Sequence, residues 1–201
     1  MPAAVEFLFD FVSPNAYLAY YPLKEIAAKH GAEIVITPVF LGGMHKLTGN
    51  APPFIRDAGV KGKNAYAMLE MERFIARHGF DKFRMNPHFP FNSVQLQRML
   101  VAAKDMGRAV EFIDFLLPQV WEQGADVTDP DAVTALLAAS PFDPQDLLEK
   151  IQSPDVKQRL ADSTAEAVER GAFGVPTFFV GGEMYFGKDR LAQLEEALAA
   201  G

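Results

Sequence analysis

Strand-forming segments stand only at the two ends of this chain, and the long stretch between them has a helical pattern. Such a distribution points to an α/β fold, with a small sheet whose strands come from opposite ends of the sequence. Residues 5–11, Val-Glu-Phe-Leu-Phe-Asp-Phe, are short, apolar and rich in aromatics, as a buried strand requires. Ser13-Pro14 ends that strand and opens a helix. Serine suits an N-cap, and proline is favoured at the first helical position, where its missing N–H is not needed. Ala16, Tyr20, Leu23 and Ala27 follow at helical spacing, and Gly31 stops the helix. Residues 33–39 read as a second strand, so the N-terminal part predicts a parallel βαβ unit.

From residue 42 to residue 170 the pattern predicts helices and loops. Met68, Met71 and Ile75 mark one helical face, Leu96, Met99, Leu100 and Ala103 a second, and Val110, Ile113, Leu117 and Val120 a third. Asp129-Pro130, Asp143-Pro144 and Ser153-Pro154 predict three further helix starts, the last helix running to Arg170. Thr177–Val180 and Met184–Phe186 then flank Gly181-Gly182-Glu183 as a hairpin, and Leu191, Leu194 and Leu198 mark a closing helix. Residues 1–41 and 171–201 therefore read as one domain, with 42–170 as a helical insertion. Phe74, Phe80 and Trp121 are expected in the core. His30 and His78 each precede a helix-stopping glycine, and His45 and His88 are read as structural or exposed.

Composition narrows the function. The net charge is −7 with scattered basic residues, unlike the basic footprint of a nucleic-acid binder. With no cysteine, the chain has no disulfide, no thiolate metal site and no cysteine nucleophile. Four scattered histidines supply no metal-ligand spacing. No apolar run is long enough for a membrane span. The first residues lack a basic n-region, and Glu6 and Asp10 interrupt their apolar stretch, so a cytoplasmic location is expected.

Two segments carry candidate chemistry. At Ser13 a helix begins, and backbone N–H groups there point outward into a region that favours negative charge. A thiolate at that spot would be stabilised; alternatively, Ser13 does no more than cap the helix. The second segment is Gly174-Val175-Pro176-Thr177, directly before a strand. A proline there is either an ordinary trans residue, the commoner case, or a cis-proline that turns the chain sharply. If Val175 lies outside the sheet ladder, its backbone is free to pair with an extended ligand.

Together with the strand order, these segments resemble the thioredoxin superfamily, in its DsbA-like branch with a helical insertion. There a C-x-x-C motif opens the first helix and faces a cis-proline loop. The aligned residues here are Ser13-Pro14-Asn15-Ala16, so disulfide exchange is excluded. The chain more closely resembles the kappa-class glutathione transferases and 2-hydroxychromene-2-carboxylate isomerases. The resemblance spans nearly the whole chain, through residues 9–14, 41–53, 86–92, 171–180 and 186–191.

That resemblance implies a thioredoxin-like fold (βαβ…ββα) and bound glutathione as cofactor. Ser13 matches the serine that hydrogen-bonds the glutathione sulfur. Pro14 and Asn15 match neighbours in that site, and Asn50 a contact from the insertion. Val175, before Pro176, matches the residue whose backbone pairs with the cysteinyl part. Lys188 and Asp189 match the pair that receives the γ-glutamyl end. Lys46 and Asn92 would lie near the second substrate, a small aromatic molecule carrying a carboxylate. Two positions depart from relatives: Asn15 stands where many carry an aromatic residue, and Lys188 where the transferases tend to have a small hydroxyl residue. The implied activity is isomerisation of the hydroxychromene carboxylate to a benzylidenepyruvate, through thiolate addition and elimination. A kappa-like glutathione transferase and a non-catalytic thioredoxin-fold binding module are the alternatives. Relatives of this kind are dimers, so a homodimer is expected by resemblance.

Overall fold

The structure is a computed structural model and describes residues 3–200. Strand β1 (Ala4–Phe9) leads into helix α1 (Pro14–His30) and strand β2 (Glu33–Pro38). Helices α2 (Leu41–Thr48), α3 (Pro53–Arg56), α4 (Lys63–His78), α5 (Val94–Asp105) and α6 (Ala109–Trp121) follow. Next come α7 (Pro130–Ala138), α8 (Pro144–Lys150) and α9 (Pro154–Glu169). Strands β3 (Thr177–Val180) and β4 (Glu183–Phe186), a 3-10 turn (Lys188–Arg190) and helix α10 (Leu191–Ala200) complete the chain. Among the described residues no strand lies between β2 and β3.

The sheet order is β2-β1-β3-β4. β1 and β2 run parallel, as a helical crossover requires, whereas β3 is antiparallel to both β1 and β4. The first and last parts of the sequence thus meet in the middle of the sheet. Phe7 of β1 and Phe178 of β3 stack with ring centroids 4.9 Å apart, and neither is exposed. The principal core runs from β1 and α1 through α5 and α6 to α10, so the helical block shares the core of the sheet. Tyr17 and Tyr20 of α1 donate to Glu122 and Asp114 on the α6 side, at 3.0 and 2.8 Å.

Several boundaries differ from expectation for local reasons. β1 ends at Phe9, because Asp10 folds its carboxylate onto the Val12 N–H and the Phe11 N–H turns to a helix side chain. Glu183 belongs to β4 and pairs with Val180, leaving the two-residue turn Gly181-Gly182. Their φ values, +58° and +91°, are the positive pair a tight hairpin turn of this kind demands. Phe80 lies beyond the end of α4, and both it and Phe74 are only partly buried, unlike fully buried Trp121. Val110 is exposed at the start of α6, while Ile113, Leu117 and Val120 have no exposed surface. None of the described residues of α4 is fully buried: Met71 and Ile75 pack, partly buried, against the principal core, while Met68 is exposed. The three cap-and-proline starts stand as expected, although the Ser153 side chain makes no capping bond.

Candidate active site

Ser13 is the N-cap of α1, with extended backbone at φ −90° and ψ 113°. Its Oγ accepts from the Ala16 N–H at 3.2 Å and donates to the Val175 carbonyl at 3.3 Å. Capping and contact with the proline loop are therefore both present in one hydroxyl. Ser13 keeps 5% of its surface exposed. Pro14 has no N–H, and the Asn15 N–H lies in the first turn, where a helix has no internal acceptor to offer. Asn15 itself is half-buried beside that turn.

The Val175–Pro176 peptide is cis. The β1–β3 ladder begins at Leu8 and Thr177, two residues beyond Val175, so the sheet does not use the Val175 backbone. Thr177 Oγ1 donates to the Gly174 carbonyl at 2.7 Å and closes the loop on itself. The Pro176 carbonyl accepts from the Gly187 N–H at 2.9 Å, which brings the 3-10 turn alongside.

That turn carries Lys188 and Asp189. Lys188 is 7% exposed, its Nζ bonded to Asp189 Oδ1 at 2.8 Å and lying 4.8 Å from the Phe74 ring centre. Asp189 keeps 63% of its side chain exposed. The carboxylate thus faces solvent while its lysine partner packs under α4. Asn50, just past α2, donates through Nδ2 to the Phe173 carbonyl at 2.8 Å and accepts from the Ala51 N–H at 2.8 Å. It thereby joins the helical block to the proline loop. Arg56 reaches its Oδ1 at 3.4 Å and pairs with Asp57, whose carboxyl the Arg56 and Lys63 cations hold at about 2.

Ser13, Val175, Pro176, Asn50, Lys188 and Asp189 are therefore linked through one loop and its neighbours. Lys46 and Asn92 are not joined to them by any of these bonds. Lys46 is exposed on α2, and Asn92, just before the Ser93 N-cap of α5, spends its Oδ1 on the Val94 N–H at 3.0 Å. His45 is half-buried, and burial together with the Arg56 charge lowers its pKa. His88 is exposed, 3.5 Å from Asp126.

Four residues beneath the site were not singled out as functional in the sequence. Asp10 is fully buried, accepting from the Val12 N–H at 3.1 Å and the Leu41 N–H at 2.8 Å. Burial pushes its carboxyl up to about 6, against the opposing effect of those N–H groups. The Ser93 hydroxyl is buried beside the same carboxylate without a well-formed hydrogen bond, and it too lowers the pKa. Gln97 and Trp121 hold the same segment from α5 and α6. The available signal was a polar residue inside an apolar stripe, Gln97 next to Leu96, Met99 and Leu100.

Comparison with known proteins agrees with this geometry. The family model of the DsbA-like thioredoxin domain matches residues 4–199. A 2-hydroxychromene-2-carboxylate isomerase of Pseudomonas putida is 30% identical, the match covering 96% of this chain and 93% of that protein. Human glutathione S-transferase kappa 1 is 29% identical, over 98% and 92%. A solved 2-hydroxychromene-2-carboxylate isomerase superposes with a TM-score of 0.84 at 27% identity, covering 98% of this chain and 95% of that one. A probable DsbA oxidoreductase from Streptomyces coelicolor superposes at 0.78 with 19% identity, over 98% and 89%, which speaks for the fold alone. With its four-stranded sheet, cis-proline loop and helical block, the chain belongs to the DsbA-like thioredoxin-domain family, in the branch of the 2-hydroxychromene-2-carboxylate isomerases and kappa-class glutathione transferases.

Proposed function

We propose that the protein is a glutathione-dependent isomerase acting on 2-hydroxychromene-2-carboxylate or a related small aromatic acid. The observation that carries this reading is the Ser13 hydroxyl, set at a helix mouth and aimed at the backbone carbonyl before a cis-proline. The residues present fit glutathione. An N-cap hydroxyl and first-turn N–H groups suit a thiolate, a backbone outside the ladder suits a peptide strand, and an exposed carboxylate at Asp189 suits an α-ammonium group. Bound glutathione would supply the thiolate nucleophile that a cysteine-free chain lacks. Ser13 would turn its proton from the Val175 carbonyl to the sulfur, while the first turn of α1 lowers the cost of the charge. Val175 would offer its N–H and C=O to the cysteinyl residue, with Pro14, Asn15 and Pro176 shaping the pocket. Asn50 would contact the tripeptide from the helical side, and Lys188 would orient Asp189 toward its γ-glutamyl end. Lys46 and Asn92, if they reach the second substrate, would do so from the rim.

The division into residues 1–41 with 171–201 and a helical insertion at 42–170 belongs to the same proposal. So do a cytoplasmic location and a homodimer. Exposed Ile55 of α3, Val60 of the turn that follows, and Tyr66, Met68 and Leu69 of α4 are apolar, and a surface of this kind favours a second copy as its cover. Kappa-like transfer remains the second reading, because the similarity to the human transferase is nearly as high as that to the isomerase.

Purified protein mixed with glutathione and the hydroxychromene carboxylate, followed by ultraviolet absorbance and product mass, tests the proposal. A glutathione-dependent rate with unchanged product mass is expected. A stable conjugate would instead make the enzyme a transferase. No dependence on glutathione would remove both readings and leave a binding module.

A further inference from the structure

The backbone immediately before Ser13 is held from the helical block, and one side chain reaches further than the rest. Gln97 on α5 has no exposed surface and lies among Leu96, Met99 and Leu100. A carboxamide in such surroundings is costly unless its polar atoms are matched. Its Nε2 donates to the Phe9 carbonyl at 2.6 Å and to the Val39 carbonyl at 2.8 Å. Its Oε1 accepts from the Phe11 N–H at 3.3 Å. Both amide protons and one oxygen lone pair are thus committed to backbone groups of two separate connections, β1–α1 and β2–α2.

The same segment is fastened at every residue. The Val39 N–H donates to the Phe9 carbonyl at 3.2 Å, and the Ser13 N–H to the Asp10 carbonyl at 3.1 Å. Trp121 Nε1 donates to the Phe11 carbonyl at 2.9 Å. The Asp10 carboxylate joins Val12 to Leu41 across the two connections. A residue of similar shape without the amide would fill the same space. It would leave the Val39 carbonyl and the Phe11 N–H without their side-chain partner, and the segment would be free to shift.

We propose that Gln97 is a positioning residue for the thiol site: its carboxamide ties the β1–α1 and β2–α2 connections together and so fixes the Ser13 hydroxyl and the first turn of α1 against Val175. This rests on the reading that Ser13 meets a glutathione thiolate. A purely structural Gln97 would affect unfolding alone. A positioning Gln97 also affects how readily the bound thiol ionises.

The test compares wild type with Gln97→Met, which keeps the side-chain length. Trp121→Phe removes the bond to the Phe11 carbonyl and leaves a smaller aromatic ring in the same buried place. Leu147→Ala, in the buried face of α8 away from the segment, serves as the stability control. Three quantities are read: amide hydrogen exchange at Phe11 and Ser13 without ligand, the pH at which bound glutathione shows thiolate absorbance, and kcat against KM for glutathione. For Gln97→Met the expected results are exchange at Phe11 faster by at least about tenfold, a bound-thiol pKa higher by about one unit, and kcat lower by about tenfold with little change in KM. Trp121→Phe should move the same readouts the same way by less. Leu147→Ala should lose stability and leave the thiol pKa and kcat alone. A folded Gln97→Met with wild-type thiol pKa and kcat would overturn the inference while leaving the glutathione reading intact. If Gln97→Met does not fold, Gln97→Glu, which keeps an oxygen for the Phe11 N–H and loses at least one of the two donors to the Phe9 and Val39 carbonyls, is read instead, and unchanged thiol pKa and kcat there overturn it equally. Wild-type protein that binds no glutathione thiolate would remove the parent reading and this inference together.

Discussion

Helices α5 and α6 and helix α4 belong to the same stretch between β2 and β3, yet the protein uses them in opposite ways. The inner faces of α5 and α6 have essentially no exposed surface, as Leu96, Met99, Leu100, Ile113, Leu117 and Trp121 show. They pack on β1 and α1 and send Gln97 and Trp121 to the backbone that presents Ser13. Helix α4 is just as amphipathic in sequence, but Tyr66, Met68 and Leu69 remain exposed. One half of the block is the foundation of the site. The other half packs Met71, Phe74 and Ile75 on the edge of that core and leaves Tyr66, Met68 and Leu69 uncovered by this chain. An apolar stripe in a sequence therefore announces that something will cover it, without saying whether the cover is the same chain, a second copy or a substrate.

The largest expected effect tests that contrast on stability. Leu117→Ala should cost about 2–5 kcal/mol, through lost burial and the cavity left behind. Chemical denaturation should give the same loss at every protein concentration. Leu69→Asp on α4 should leave the stability of the separated chain nearly unchanged and, on the proposed homodimer, abolish the concentration dependence of unfolding and shift the light-scattering mass to that of a monomer. If Leu69→Asp instead unfolds the isolated chain as Leu117→Ala does, α4 is core and the distinction fails.

A smaller effect sharpens the same comparison at the foundation. Asp10 is buried between β1 and α2, with the Val12 and Leu41 N–H groups and the Ser93 hydroxyl facing it. Its carboxyl is raised to about 6 from an ordinary value of 3.8. Between pH 7 and pH 5 the folded protein takes up this proton and the unfolded chain does not. The contribution of Asp10 to stability should therefore rise as pH falls through that window, by about 1 kcal/mol, and be lost again as pH rises. Glu6 and Asp105, whose carboxyls are lowered, act in the opposite sense and are common to both proteins compared. Denaturation of wild type and Asp10→Asn at the two pH values isolates the difference. A difference that does not change with pH would mean the carboxylate is solvated and the segment looser than described.

Legibility in the sequence followed the range of the interaction. Local signals read well: Ser13-Pro14, Gly31 at φ +62°, the cap-and-proline starts of α7 and α8, and the leucines of α10 all stand where short-range chemistry puts them. The parallel pairing of β1 and β2 followed from the helix between them. What the sequence did not disclose depends on partners far along the chain. The early end of β1 reflects a Gln97 that lies 86 residues from Phe11. The Ser13–Val175 bond spans 162 residues, and the burial of Lys188 depends on Phe74 of α4. The resemblance to relatives pointed to Ser13, Val175 and Asp189 as one site. The residues that hold them there emerged only once the fold was known.

The central claim is that the Ser13 hydroxyl and the first turn of α1 hold a thiolate against the proline loop. Thiolate absorbance of glutathione bound to wild type and to Ser13→Ala, titrated across pH with turnover measured in parallel, tests it most directly. One hydrogen bond to a charged sulfur is worth about 1.5–3 kcal/mol. The account predicts that thiol ionisation moves to higher pH by one unit or more in Ser13→Ala, and that the rate falls roughly ten- to hundredfold. An unchanged titration with full turnover would contradict it, because the sulfur would then be held somewhere else.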